Sequence, residues 1–141
     1  ESGCLEEVCG SCSMLINGRP RQACTALIDK LIDENESTTI TLAPFTKFPL
    51  VRDLMVDRSS MFDNLKKVRA WVEADSSHDA GFGPKIRQDK QEVMYQFAQC
   101  MTCGCCVEAC PQVNSHSSFK GPAVIGQVRL FNLHPIAGMQ K

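Results

Sequence analysis

Eight of the nine cysteines in this chain fall into two groups whose spacings suit the ligands of a metal cluster. The first group has the spacing C-x4-C-x2-C-x11-C and consists of Cys4, Cys9, Cys12 and Cys24. The second has the spacing C-x2-C-x2-C-x3-C-P and consists of Cys100, Cys103, Cys106, Cys110 and Pro111. The first spacing is that of plant-type 2Fe–2S sites, and the second is a bacterial iron–sulfur run whose fourth cysteine ligates a different cluster. Together they predict an electron-transfer protein.

Two other uses of cysteine fit these spacings less well. A disulfide framework suits a small secreted protein, but the cysteine count is odd and no secretory signal is visible. Structural zinc needs two C-x2-C pairs that close one tetrahedral site, whereas the second group crowds four thiolates together. A zinc-binding module without redox function is nevertheless the alternative from a different class. Cys105 fits neither spacing, and we predict a small buried residue rather than a ligand.

A hairpin is predicted to complete the first group. Asn17-Gly18 lies between two strand-like runs and is the strongest short-range signal for a two-residue type I′ turn. The resulting register pairs Ile16 with Arg19. It brings Cys24 beside Cys12, which explains how a distant fourth cysteine reaches the same cluster.

The first region is predicted to form part of a small sheet. Apolar residues at helical spacing indicate a short helix near residues 27–32, and residues 39–42 alternate as a half-buried strand. Pro44 and Pro49 interrupt the chain, so we place a domain boundary between residues 48 and 49. Further strands of a β-grasp domain are expected before Glu1, and the chain is expected to be a piece that lacks both ends.

From residue 50 the apolar period becomes helical, which predicts a helix that links the two regions. Its apolar stripe, with Arg58 as the exception, consists of Val51, Leu54, Met55, Arg58, Phe62, Leu65, Val68 and Val72. Met55, Phe62 and the following Trp71 are predicted to pack in the core. Arg52 and Arg58 are predicted to form ordinary salt bridges on the helix surface, with a position facing an interface or a cluster as the alternative.

Two more helices are predicted further along the chain. One covers residues 89–99 and delivers Cys100 to the second site, and the other has Pro122 in its first turn. Residues 73–84 are rich in Ala, Asp, Ser, Gly and Pro and predict a solvated loop, with His78 on its surface.

The composition limits the partners. The chain has 141 residues and a net charge of −1 with mixed signs, so neither a nucleic-acid patch nor a polybasic membrane surface is expected. No apolar run approaches the roughly 18–20 residues that span a bilayer, so membrane contact is expected only through a partner.

The second cysteine group contains too few cysteines for the two clusters that its spacing implies. If Cys100, Cys103 and Cys106 hold three corners of one cluster and Cys110 turns to another, a second cysteine run must supply the rest. No cysteine follows Cys110. Either Cys110 closes a single cluster or the chain stops before the second run. We favour the latter, because Pro111 directs the backbone away from the first of these clusters.

Three segments together resemble the iron–sulfur subunit of succinate dehydrogenase and fumarate reductase of menaquinone-type bacteria. They are residues 1–12, residues 49–54 in the predicted linking helix, and residues 100–111. The resemblance implies an α+β fold. A partial β-grasp 2Fe–2S ferredoxin-like domain would cover residues 1–48, and an α-helical dicluster ferredoxin-like domain, incomplete at its C-terminus, would cover residues 49–141.

The resemblance also implies three clusters. By that match the ligands of the 2Fe–2S cluster are Cys4, Cys9, Cys12 and Cys24. Three irons of a 4Fe–4S cluster are held by Cys100, Cys103 and Cys106, and Cys110 is one ligand of a 3Fe–4S cluster. The remaining ligands of the last two clusters have no counterpart in this sequence.

The implied function is electron transfer in succinate:quinone oxidoreductase. Such a subunit relays electrons between a flavoprotein, where succinate and fumarate interconvert on FAD, and a membrane-anchor cytochrome b subunit that binds quinone. It is a peripheral protein on the cytoplasmic face of the bacterial cell membrane. No substrate chemistry is expected on this chain, and no set of residues resembles a general acid, base or nucleophile.

The segment after Cys110 is implied to approach the quinone, with Pro111 in its vicinity. Relatives that use ubiquinone have a tryptophan pair where Asn114 and Ser115 stand here, so the sequence favours menaquinone. His116 is nearby, and we expect an exposed loop residue. The alternative within electron transfer is an iron–sulfur subunit of another flavin dehydrogenase or of a heterodisulfide-type reductase.

Overall fold

The computed structural model describes residues 3–73 and 85–135 and has the mixed helix and sheet content expected of an α+β fold. The strands are β1 (Ser13–Ile16), β2 (Arg19–Gln22), β3 (Leu42–Ala43), β4 (Leu50–Arg52) and β5 (Met55–Val56). The helices are α1 (Ile28–Asn35), α2 (Ser59–Lys67), α3 (Gln88–Ala98), α4 (Cys105–Ala109) and α5 (Pro122–Leu133), and a 3₁₀ turn covers Ala23–Thr25. The predicted loop over residues 73–84, with His78, lies outside the described residues apart from Glu73.

The first sheet has the strand order β2-β1-β3 and is built on the predicted hairpin. Ile16 pairs with Arg19 as expected. Asn17 and Gly18 have φ angles of 49° and 75°, the left-handed values that a type I′ turn requires. The Asn17 side-chain oxygen accepts the backbone N–H of Thr41 at 2.9 Å, so the turn residue also holds the approach to β3.

The predicted strand over residues 39–42 is shifted, because only Leu42 and Ala43 pair with β1. The predicted short helix is confirmed as α1, which buries Leu31. Backbone pairing with β1 therefore forms only beside the point where Asn17 binds Thr41, and not along the whole predicted strand of residues 39–42.

The predicted helix over residues 50–58 is wrong. Strands β4 and β5 form a two-stranded antiparallel hairpin there, with Leu50 paired to Val56. Asp53 takes a left-handed φ of 48°, which breaks a helix and turns the chain back. A helix begins only at Ser59, whose backbone N–H donates to the Asp57 carboxylate at 2.8 Å. That carboxylate pairs with a free N–H of the first turn.

Three residues predicted to pack in the core are instead well exposed. Met55 is 42% exposed, Phe62 49% and Trp71 45%. Helix α2 buries Met61 in their place. Strands β4 and β5 interrupt the predicted helix, so the apolar residues between Val51 and Val72 do not line one helix face.

The two later helices agree with their predicted positions. Helix α3 begins one residue before the predicted start, and α5 begins with Pro122 at its first turn. These two helices pack against each other. Helix α4 is short and was not predicted. Within residues 3–73 and 85–135, no helix is long and apolar enough to cross a membrane.

The core joins both regions of the chain. Its buried residues are Phe45, Phe48, Met61, Val107 and Ala123. Because these residues come from both sides of the predicted boundary at 48/49, the packing ties the second cysteine run to the segment that follows the first sheet. The boundary itself stays a prediction.

Ile16 tests the packing of the first sheet. Its side chain is 2% exposed, and shortening it to valine (Ile16→Val) is expected to cost about 1 kcal/mol of the free energy of unfolding. Ile28 in α1 is 66% exposed, so Ile28→Val removes the same methyl group with a change below about 0.5 kcal/mol. Urea unfolding followed by circular dichroism measures both, and equal effects would contradict the placement of Ile16.

Candidate iron–sulfur sites

The first cysteine loop wraps its backbone around the Cys4 sulfur. Three residues in the loop have left-handed φ angles: Leu5 at 62°, Glu7 at 59° and Gly10 at 68°. The Cys4 sulfur accepts the backbone N–H of Glu6 at 3.4 Å and that of Val8 at 3.3 Å. Hydrogen bonds of this kind stabilise negative charge on sulfur and tune the potentials of iron–sulfur clusters. Non-glycine residues in left-handed conformations are costly and often occur at functional sites.

Cys9 lies against the other end of the same loop. Its sulfur is hydrogen-bonded to the Ser11 hydroxyl at 3.0 Å, and this bond lowers the pKa of the Cys9 thiol to about 6. The thiolate is the form that ligates metal. A Cβ atom on Gly3 would lie 2.7 Å from the Cys9 sulfur, so a larger residue at position 3 would displace this side chain.

The hairpin delivers Cys24 to the same place. The backbone N–H of Ala23 donates to the Cys12 carbonyl at 3.1 Å, which continues the hairpin beyond β2. A hydrogen bond to Cys12 raises the pKa of the Cys24 thiol, and the Cys4 thiol also contributes. The Cys4 thiol also lowers the pKa of Cys9. The thiols of the first group are therefore close enough to influence one another.

The second run places Cys103 at a sharp turn before α4. Thr102 and Gly104 flank it with φ angles of 54° and 90°. A hydrogen bond from Cys105, assisted by the charge of Arg58, lowers the pKa of the Cys103 thiol to about 6. These interactions favour the thiolate form of Cys103.

The other cysteines of the run are placed by α4. Burial raises the pKa of the Cys106 thiol, and the neighbouring Cys103 and Cys100 thiols raise it further. These three cysteines are therefore close enough to influence one another. Cys110 caps the C-terminal end of α4, at the opposite end of that helix from Cys105.

Cys105 is half-buried, whereas we predicted a small buried residue. It packs against the core that contains Phe45 and Phe48. Its hydrogen bond to Cys103 and its burial raise the pKa of the Cys105 thiol well above the usual range. A thiol that stays protonated and faces the core is a poor ligand.

The two cysteine loops touch. A Cβ atom on Gly10 would lie 2.8 Å from the Cβ of Cys103 and 2.9 Å from its Cα. Arg58 joins the loops, because its Nη1 donates to the Gly10 carbonyl and to the Thr102 carbonyl, each at 3.1 Å. The predicted surface salt bridge of Arg58 is wrong. The interruption of the apolar stripe at Arg58 was the signal that could have identified it.

A second connection, which we call the Glu108 latch, was not predicted from the sequence. The buried Glu108 carboxylate accepts the Thr46 N–H at 2.9 Å, the Thr46 hydroxyl at 2.6 Å and the Lys47 N–H at 3.0 Å. In return the Lys47 ammonium donates to the carbonyls of Val107 and Cys110. The latch fixes the helix between Cys106 and Cys110 against the segment that precedes β4.

The segment after the second run forms an exposed loop. Pro111, Asn114 and His116 are all exposed, as predicted for His116. The Asn114 amide donates to the Pro111 carbonyl at 2.9 Å, and its oxygen accepts the His116 N–H at 2.9 Å. Asn114 therefore organises the loop.

Among residues 3–73 and 85–135, no three His, Cys, Asp or Glu side chains form a group that would hold a single metal ion. Glycine at the thiolates and N–H groups aimed at sulfur suit a larger sulfide-containing cluster.

The fold and the cysteine sites define an iron–sulfur protein with a 2Fe–2S ferredoxin-like domain. The family described as "2Fe-2S iron-sulfur cluster binding domain" matches residues 1–63, which confirms the iron–sulfur cofactor class. Over its whole length the chain is similar to the iron–sulfur subunits of succinate dehydrogenase and fumarate reductase, and the resemblance stated above is confirmed.

The matches are specific. The chain is 56% identical over 141 residues to the succinate dehydrogenase iron–sulfur subunit of Bacillus subtilis, covering 100% of this chain and 54% of that protein. It is 34% identical to the fumarate reductase iron–sulfur subunit of Wolinella succinogenes, over 94% of this chain and 54% of that protein. The chain spans about half the length of the curated relatives it matches.

A solved structure agrees with the fold. A chain of the Mycobacterium smegmatis Sdh1 complex in the apo form superposes with a TM-score of 0.78 at 26% identity. The match covers 96% of this chain and 56% of that chain.

Gly10 tests the contact between the two loops. In Gly10→Ala the added methyl group meets the Cys103 backbone, and the residue also has a left-handed φ of 68°. Gly18→Ala is a matched control, because Gly18 has a similar φ of 75° but nothing within 4 Å of the added atom. Overpacking typically costs 1–3 kcal/mol, so we expect Gly10→Ala to be destabilised by about 2 kcal/mol more than Gly18→Ala in urea unfolding. Equal losses would show that the loops do not touch.

Proposed function

We propose that this chain is part of the electron-transfer subunit of a succinate:quinone oxidoreductase. It would relay electrons between an FAD-containing flavoprotein and a quinone in the membrane. The similarity to succinate dehydrogenase and fumarate reductase subunits supports this assignment. It is an enzyme subunit in the sense that it conducts electrons, with no substrate chemistry of its own.

The observation that carries the proposal is the contact between the two cysteine loops. Gly10 lies against Cys103, and Arg58 is bonded to the backbone of both loops. Electron tunnelling rates fall steeply with the distance between redox centres, so adjacent cluster sites favour rapid transfer. A structural zinc module would gain nothing from this adjacency.

We assign the cluster ligands in the order of the chain. The 2Fe–2S ligands are Cys4, Cys9, Cys12 and Cys24. Three 4Fe–4S ligands are Cys100, Cys103 and Cys106, and one 3Fe–4S ligand is Cys110. When bound, the clusters supply one-electron redox chemistry. The chain's own residues position the sulfurs and donate N–H groups to the Cys4 sulfur.

The partners follow from the same assignment. A flavoprotein subunit would exchange electrons with this chain, and a membrane-anchor cytochrome b subunit would bind quinone beside this peripheral chain, on the cytoplasmic face of the bacterial membrane. The exposed loop that contains Pro111 and Asn114 is our candidate for the surface near the quinone. Asn114 and Ser115 favour menaquinone. We further propose that residues 1–48 and 49–141 correspond to the 2Fe–2S and dicluster domains.

The test uses membranes that contain the assembled complex with the full-length subunit. Succinate added without oxygen is expected to produce the EPR signal of a reduced 2Fe–2S cluster, and a water-soluble menaquinone analogue is expected to remove it. If dithionite produces the signal but succinate does not, the clusters are present and the succinate:quinone assignment is wrong. If neither reductant produces a signal in protein that contains zinc, the zinc alternative is correct.

A further inference from the structure

We propose that Arg58 is a positioning residue that holds the two cysteine loops together through hydrogen bonds, which we call the Arg58 clasp. It also places a positive charge between the two cluster sites, and this charge raises the reduction potentials of both clusters. This inference rests on the proposed electron-transfer function. It concerns a residue that takes no part in ligating either cluster.

A single nitrogen atom of Arg58 forms the hydrogen bonds to both loops. Arg58 lies between β5 and α2, is half-buried, and donates through Nη1 to carbonyls of both loops at the same distance, 3.1 Å. The two acceptors, Gly10 and Thr102, each precede or follow a ligating cysteine directly. A shift of either loop therefore breaks a hydrogen bond to the same guanidinium.

Arg58 forms no ion pair with any carboxylate in the part of the chain that the structure describes. Its two acceptors are neutral carbonyl oxygens. A Cβ atom placed on Gly10 would lie 3.2 Å from Arg58 Nη1 and 2.8 Å from the Cβ of Cys103. The guanidinium and the second cysteine run therefore approach the same point.

The sign of the electrostatic effect is fixed by the redox chemistry. Reduction adds one negative charge to an iron–sulfur cluster, and a nearby cation stabilises the more negative state. The reduction potential therefore rises. Partial burial matters, because charges away from bulk water interact through a lower effective dielectric and are screened less by salt. Local charge is one of the factors that set the potentials of such clusters.

Three variants separate the clasp from the charge. Arg58→Lys keeps the charge but replaces the planar fork with a flexible point charge. Arg58→Gln keeps a donor and removes the charge. Arg58→Met removes both while keeping much of the side-chain length. Arg52→Met is the control for net charge, because Arg52 is exposed on β4, six positions earlier.

The measurement is EPR-monitored redox titration of the full-length subunit in its assembled complex, with iron and sulfide content determined in parallel. We expect both midpoint potentials to shift negative in Arg58→Gln and Arg58→Met and to stay near the wild-type values in Arg58→Lys and Arg52→Met. We also expect the magnetic interaction between the two reduced clusters to weaken in Arg58→Met and Arg58→Lys, because the loops are no longer held together.

Several outcomes would overturn the inference. One such outcome is that Arg58→Gln, with its full iron and sulfide content, has the same midpoint potentials as Arg52→Met. Another is an equal negative shift in Arg58→Lys, which would show that charge is not the cause. If Arg58→Met fails to assemble, the Lys and Gln variants decide the question. A wild-type complex without clusters would refute the proposed function instead, so the two failures are distinguishable.

Discussion

Replacing Cys9 by serine (Cys9→Ser) is expected to abolish the 2Fe–2S signal of the reduced protein. Cys9 is hydrogen-bonded to Ser11, the Cys4 thiol helps to lower its pKa, and the Gly3 backbone passes close to its sulfur. Serine keeps the shape but offers a hydroxyl in place of a thiol whose pKa is about 6. Because metal ligation by this group needs the deprotonated form, the serine variant loses one iron ligand at neutral pH. Anaerobic reconstitution followed by EPR and iron analysis measures the loss.

The matched control is Cys105→Ser. This substitution makes the same atomic change at a half-buried cysteine that packs against the core and fits neither ligand spacing. It is expected to leave the iron content and the 2Fe–2S signal at wild-type levels. Loss of the signal in both variants, or in Cys105→Ser alone, would contradict the assignment of the ligands.

Replacing Glu108 by alanine (Glu108→Ala) is expected to lower the free energy of unfolding by about 3 kcal/mol. The buried carboxylate accepts two backbone N–H groups and one hydroxyl from Thr46 and Lys47. Hydrogen bonds to charged groups are each worth about 1.5–3 kcal/mol. We reduce the sum because Thr46 is exposed and its donors can regain water. Urea unfolding of the cluster-loaded chain, followed by circular dichroism and visible absorption, measures the loss.

Glu34→Ala provides the comparison for the Glu108 latch. Glu34 pairs with Arg21 on the surface, and its side chain is 41% exposed. Exposed ion pairs are worth about 0–1 kcal/mol, so this variant is expected to unfold within 1 kcal/mol of the wild type. We also expect Glu108→Ala to lose the iron bound at Cys106 before that bound at Cys9, since the latch holds α4. A Glu108 variant as stable as the Glu34 variant would show that the latch contributes nothing.

The parts of the fold that were predicted from sequence are those with strong local chemistry. Asn17-Gly18 specifies its own turn, and the strand register follows from it. Pro122 begins a helix because its fixed φ and missing N–H suit the first turn. The apolar spacing gave a wrong prediction of a helix where the apolar side chains are not buried. Leu50 and Val51 are 60% and 58% exposed, so they do not belong to the buried face of a helix.

The candidate sites divide in the same way. The grouping of the cysteines was evident from spacing, because the ligands of each cluster are close in sequence or joined by one hairpin. The contacts between the groups were not evident. Arg58 reaches Gly10 and Thr102 across 48 and 44 positions, and such pairings leave no periodic trace in a single sequence. A charged residue inside an apolar stripe was the remaining clue.

The contact between Gly10 and Cys103 also has a consequence for biosynthesis. The residues that meet Gly10 are made long after the first cysteine loop, since Gly10 precedes Cys103 by most of the chain. At about 5–20 residues per second of translation, the loop leaves the ribosome several seconds before its contact partner. The contact between the loops, with the Arg58 hydrogen bonds that join them, can therefore form only late in the synthesis of the chain.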